Sequence, residues 1–153
     1  LFLHPASSGG AKGPDDWRMG RYDMSIMLGY AYEETLAVAT LIIGGVLDRH
    51  PKLDICISHG GGAMPYLIER FSEMSEFRDW APESVKKNGF INELKKLWFD
   101  AHVHGEKSQA MLFDIVGEER LVYGTNFGGW DTPEKLEDFA PNLTGNAKKL
   151  LRI

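Results

Sequence analysis

The chain has 153 residues, 43% hydrophobic and 25% charged, the balance of one ordinary globular domain. A formal net charge of -5 argues against a nucleic-acid partner or an anionic membrane surface. The single cysteine excludes an internal disulfide and suits a reducing, cytoplasmic compartment, and no apolar run reaches the about 20 residues of a membrane span.

The chain opens with Leu1-Phe2-Leu3-His4-Pro5, which reads as the interior of a strand and suggests part of a longer protein. Pairing should stop at His4, because Pro5 cannot donate to a central ladder. Residues 6–21, rich in Ser, Gly and Asp with Trp17 as the largest apolar group, read as a long loop. From about Ser25 to Arg49 the pattern is helical. Leu36, Thr40, Ile43 and Val46 can share one face, and Gly44-Gly45 either breaks the segment or packs tightly. Pro51 and Lys52 make a turn, and the apolar, β-branched residues 53–58 form a second strand in which Cys56 is a core residue, not a nucleophile.

His59 ends that strand and three glycines follow. Glycines there let the backbone pass close to something, and Pro65 stands where the first turn of a helix tolerates it. The helix covers about 63–74, with Met64, Leu67, Ile68 and Phe71 at core spacing. Residues 77–88 read as loop and irregular helix, 91–96 as a short helix and 97–100 as a third strand. A helix over 108–116 points Met111, Leu112 and Ile115 inward. A fourth strand over 121–123 leads to Gly124-Thr125-Asn126, and a last helix spans 142–151.

Four strands thus alternate with helices, and each ends on a polar group: His4, His59, Asp100 or Asn126. Every connection is long enough for a crossover helix and a returning parallel strand. The α/β alternation means a parallel sheet, either half a barrel or a small open sheet with unpaired edges and an uncovered face. In either case chemistry belongs at the carboxyl ends of the strands.

His4 and His59 stand at such ends, and neutral imidazole is both a zinc ligand and a general base near neutral pH. His102 and His104 alternate, so they could share a metal or point to solvent at the rim. Asn126 could offer a carbonyl oxygen to a metal, and Asp131 a carboxylate if its loop folds back. Arg70, on the helix after the glycines, is either a surface cation or a bidentate clamp for a substrate carboxylate. The glycine turn could also cradle an anion at the helix start, a weak signal without a Walker or dinucleotide pattern.

Together these residues resemble the amidohydrolase superfamily, in its aminocarboxymuconate-semialdehyde decarboxylase-like branch. The likeness runs through Leu3-His4-Pro5, Glu33-Glu34-Thr35, Gly44-Gly45-Val46, Pro51-Lys52-Leu53, His59-Gly60-Gly61-Gly62-Ala63, Arg70, Asp100-Ala101, His104, Gly124-Thr125 and Gly145-Asn146-Ala147. It implies a (β/α)₈ TIM barrel of which this chain is the C-terminal half, strands five to eight, as a single partial domain over 1–153. It also implies one divalent metal, commonly zinc, a homodimer, and a small-molecule carboxylate substrate. By the same resemblance His4 is the metal histidine of strand five. His59 is the strand-six histidine that moves a proton or activates metal-bound water. Arg70 reaches the substrate carboxylate, in some relatives across the dimer interface.

Two departures stand out. The metal-binding His-x-His pair of strand one has no counterpart here, and the strand-eight aspartate is replaced by Asn126, a weaker zinc ligand. The resemblance therefore implies a metal-dependent non-oxidative decarboxylase of an aromatic or unsaturated acid. Its alternatives are a hydrolase or hydratase of the same superfamily, or an inactive fragment.

Overall fold

A computed structural model describes residues 1–5, 17–126 and 143–153 of the chain. Four short strands, β1 (Phe2–Leu3), β2 (Cys56–Ile57), β3 (Trp98–Asp100) and β4 (Leu121–Val122), form one sheet in the order β1-β2-β3-β4. Every neighbouring pair is parallel. Strand pairing is narrower than the apolar runs suggest: of residues 53–58 only Cys56 and Ile57 are in the ladder.

Between the strands lie helices α1 (Tyr30–Ile43), α2 (Val46–Arg49), α3 (Met64–Ser75), α4 (Glu83–Asn88), α5 (Phe90–Leu94) and α6 (Glu106–Val116), with α7 (Leu143–Leu151) after β4. A π-helical turn, Ser25–Gly29, leads into α1. Gly45 adopts φ +61 and separates α1 from α2, so the glycine pair does break the long helix.

Register divides the side chains between two faces. Leu3, Ile57, Phe99 and Leu121 stand side by side across the four strands and point into the main core. There they meet Val38 and Ile42 of α1, Ile68 of α3 and Leu112 of α6. Phe99 and Phe90 are fully buried, and side chains of that size contribute roughly 1.5–3 kcal/mol each by leaving water. On the opposite face Cys56, Trp98 and Val122 form a smaller cluster with Leu150 of α7. The second face is therefore partly covered, although Phe2 remains 62% exposed.

Two helix faces differ from the expected ones. In α1 the buried side chains are Glu34, Thr35, Val38, Ala39 and Ile42, while Leu36 and Thr40 face outward. In α6 Met111 is exposed, and Gln109, Leu112 and Val116 turn inward. In α3 the expected face holds, with Met64 and Ile68 buried and Leu67 and Phe71 half-buried.

The helical stretch Ser25–Ile43 has the length and composition to cross a membrane, contrary to the expectation from apolar runs. Here it packs Val38, Ala39 and Ile42 against the sheet and turns a buried carboxylate toward the strand ends. Its α1 part is a core element of the fold, while Ser25–Gly29 contributes no buried residue.

Candidate functional site

The carboxyl ends of the strands open into a cavity of about 510 Å³, lined among others by His4, Tyr30, His59, His102, His104 and Asn126. His4, His59 and Asn126 reach it from beyond β1, β2 and β4, and His102 and His104 from beyond β3, as parallel βα units place side chains at the ends of their strands. The structure brings the histidines together as a row. Ring centroids lie 5.0 Å apart for His4 and His59, 5.3 Å for His59 and His102, and 5.4 Å for His102 and His104. Tyr30 stacks along the same row, 6.3 Å from the ring of His59.

His59 is the most constrained member. It adopts φ +45, a left-handed conformation unusual for a side-chain-bearing residue. Its Nδ1 lies 2.6 Å from Oε1 of Glu34, which is buried in α1. A carboxylate can only accept, so Nδ1 carries the proton of this bond. Ser58 Oγ donates to the same carboxylate oxygen.

The glycines after His59 explain themselves by close approach within the protein. A β-carbon on Gly60 would meet Val103 at 2.7 Å, one on Gly61 would meet Phe99 at 2.8 Å, and one on Gly62 would meet the carbonyl of Ala31 at 2.1 Å. All three have positive φ. The amides of the turn are also occupied. Gly60 donates to Asp100 Oδ1, Gly61 to the carbonyl of Ser58, Gly62 to that of His59, and Ala63 to Thr35 Oγ1. This corrects the anion-cradle reading, because the donors such a cradle needs are satisfied internally.

Asp100 ties the third strand end to this turn. Its Oδ1 accepts from the amides of Gly60 at 3.3 Å and His102 at 3.1 Å. Burial pushes its carboxyl above the ordinary carboxylate range, against the lowering effect of those two bonds. His102, one of two histidines read as either ligands or rim groups, is buried at 6% exposure beside His59. His104 is exposed but still lines the cavity.

The remaining candidates divide. Asn126 lines the cavity at φ +49, four residues beyond the end of β4 at Val122. Arg70 is exposed on α3 and is not among the cavity-lining residues. Asp131 and residues 6–16 lie outside the described residues. Asn146, part of the Gly-Asn-Ala motif, serves the fold: its amide donates to the carbonyls of Glu118 and Leu121.

Three members of the site stand outside the candidates that the sequence singles out: Glu34, Ser58 and Tyr30. Glu34 sits four residues before Val38 and shares that residue's buried face, an arrangement that only the packing of α1 reveals.

The donor set falls short of a metal centre. Among the described residues no three or more His, Cys, Asp or Glu side chains are grouped so that they could hold an ion. His59 Nδ1 is committed to Glu34 and His4 Nδ1 to the carbonyl of Pro5 at 2.7 Å. The family resemblance assigns only His4 and Asn126 as metal donors, short of the four ligands of a zinc centre. The described residues do not make up a metal site by themselves.

A parallel βα sheet that gathers histidines and a buried carboxylate at its strand ends defines an α/β protein with its functional face at the strand termini. The chain belongs to the amidohydrolase family, whose family model matches residues 1–152. It is 31% identical over 127 residues to the 2-amino-3-carboxymuconate-6-semialdehyde decarboxylase of Dictyostelium discoideum, covering 83% of this chain and 34% of that protein. The Caenorhabditis elegans protein of the same name is also 31% identical, over 158 residues, covering 99% of this chain and 38% of the relative. Thus the chain spans little more than a third of these curated relatives.

Among solved structures, the apo form of IDCase from Metarhizium anisopliae superimposes with a TM-score of 0.70 at 24% identity, covering 99% of this chain and 48% of that one. The 5-carboxyvanillate decarboxylase of Novosphingobium aromaticivorans, solved with bound manganese, gives a TM-score of 0.73 at 22% identity, covering 100% and 48% respectively. The likeness establishes the fold: a mixed α/β unit with a parallel sheet, matching about half of an amidohydrolase barrel.

Proposed function

We propose that the chain forms strands five to eight of a (β/α)₈ barrel, as one partial domain over residues 1–153. The complete protein would be a non-oxidative decarboxylase of an aromatic or unsaturated carboxylic acid. The observation that carries the chemistry is His59, whose Nδ1–H is fixed on Glu34 at the cavity. This leaves Nε2 as the lone-pair nitrogen, able to take up a proton and deliver it. In the reaction the bond between a ring or vinyl carbon and the carboxylate breaks, CO₂ leaves, and a proton takes its place on carbon. His59 supplies that proton. The decarboxylase names of the curated relatives and the neighbours' fold support this reading.

The cation in this reading is a divalent metal, zinc by family resemblance, to which His4 and Asn126 contribute only together with further donors. Arg70 faces outward on α3, so its carboxylate-binding role would be exercised toward a second copy in a homodimer. The protein would act in the cytoplasm.

A second reading, a non-catalytic member of the family, is favoured by Asn126 and by the incomplete donor set among the described residues. The deciding experiment supplies the complete protein with zinc or manganese and a panel of aromatic and unsaturated carboxylic acids. CO₂ with the decarboxylated product supports the decarboxylase. Hydrated or cleaved product without CO₂ indicates a hydratase or hydrolase. No turnover of any acid supports the non-catalytic reading.

A further inference from the structure

We infer that Glu34 is a positioning residue that selects the ring tautomer of His59, and that the paired motif Glu34-Thr35 makes α1 the brace of the site. The inference rests on the reading of His59 as the proton-transfer group, but its geometry stands without it. Glu34 is 3% exposed, yet it carries a carboxylate, a group that is costly to bury unless it is bonded. Its bonds are one-sided. Oε1 takes the Nδ1–H of His59 at 2.6 Å and the hydroxyl of Ser58, while the buried Oε2 has no hydrogen-bond partner among the described residues. A carboxylate buried only for stability would be expected to satisfy both oxygens. Here both donors fall on the oxygen that faces the strand end.

The next residue repeats the pattern. Thr35 donates to the carbonyl of Ala31 at 2.6 Å and accepts from the amide of Ala63 at 2.8 Å. One turn of α1 therefore fixes both ends of the segment from Ser58 to Ala63, on which His59 stands. Free neutral imidazole favours the Nε2–H tautomer in water. A carboxylate on Nδ1 reverses that choice, because which ring nitrogen is protonated is set by the bond the other one makes. In this orientation the lone pair lies on Nε2, the nitrogen not bonded to Glu34.

The test is ¹⁵N spectroscopy of the five histidines in the folded protein at about pH 9, where an ordinary imidazole with a pKa of about 6.5 is neutral. His59 is assigned by the loss of its signals in His59→Asn. The expected result is an Nδ1–H tautomer in the wild type, kept in Glu34→Gln, whose amide oxygen still accepts, and shifted toward Nε2–H in Glu34→Met. A wild-type His59 in the Nε2–H form overturns the inference even if Glu34→Met does not fold. So does an unchanged Nδ1–H tautomer in a folded Glu34→Met. Because this readout needs no substrate, it can fail while the decarboxylase reading holds, or hold while that reading fails.

Discussion

A β-carbon on Gly62 would stand 2.1 Å from the carbonyl oxygen of Ala31, so the turn after β2 and helix α1 touch backbone to backbone. Neither partner can yield like the end of a flexible side chain, and Gly62 also holds φ +65. Replacing Gly62 by Ala is expected to cost at least about 2 kcal/mol, the strain of the left-handed backbone plus the clash. Gly105 has φ +85 but open space where a β-carbon would stand, among the described residues. Gly105→Ala should therefore cost only the backbone part, roughly 1 kcal/mol. Urea unfolding of the two variants checks this; equal losses would mean that the contact with Ala31 contributes nothing.

Arg152 tethers the end of the chain to the segment before β2. Its guanidinium donates to Asp54 at 2.8 Å and to the carbonyl of Lys52. The bond from Arg152 is the largest influence holding the Asp54 carboxyl below its ordinary value of 3.8. A carboxylate depressed in the folded state stabilises above its unfolded pKa and loses that contribution as pH falls through the folded one. Both side chains are at least a third exposed, so Arg152→Ala should cost only about 0.2–1 kcal/mol at neutral pH. The difference from wild type should hold from about pH 7 to about pH 5 and shrink as pH falls below about 4 in paired unfolding curves.

Cys56 is 3% exposed, and burial pushes its thiol up to about 12. Since the thiolate is the reactive form, Cys56 should resist a disulfide reagent in the native protein and react fully in denaturant. Fast labelling under native conditions would show that this face of the sheet opens.

Asn126 lines the cavity without a charge. If it binds the metal, Asn126→Asp in the complete protein should tighten zinc binding by at least about tenfold, because a carboxylate adds a negative charge beside the ion. Competition against a chelator measures this. Unchanged affinity would remove Asn126 from the ligand set.

The positions of the strand ends were legible in the sequence because they depend on local chemistry. Pro5 halts a ladder, three glycines force a turn, and a polar residue after an apolar run marks where burial stops. All four ends, His4, His59, Asp100 and Asn126, come together as those local signals imply. The role of Glu34 was not legible, because Glu33 and Glu34 look alike in the chain and only packing decides which is buried. The expected face of α1 was rotated for the same reason: the helix turns toward both the sheet and the strand ends, which places a carboxylate and Thr35 on its inner side. The glycine turn was correctly read as a site of close approach. What approaches it is α1, Phe99 and Val103, which a ligand-centred reading of three glycines does not reveal.

The role of His59 in moving the proton is tested most directly by CO₂ release from the complete, metal-supplied protein and its His59→Ala variant, on an acid that the wild type turns over. The expected result is a fall in kcat of about 10²–10⁴-fold, the usual contribution of a general acid or base, with KM changed by only a few-fold. A His59→Ala protein that releases CO₂ at the wild-type rate would contradict it.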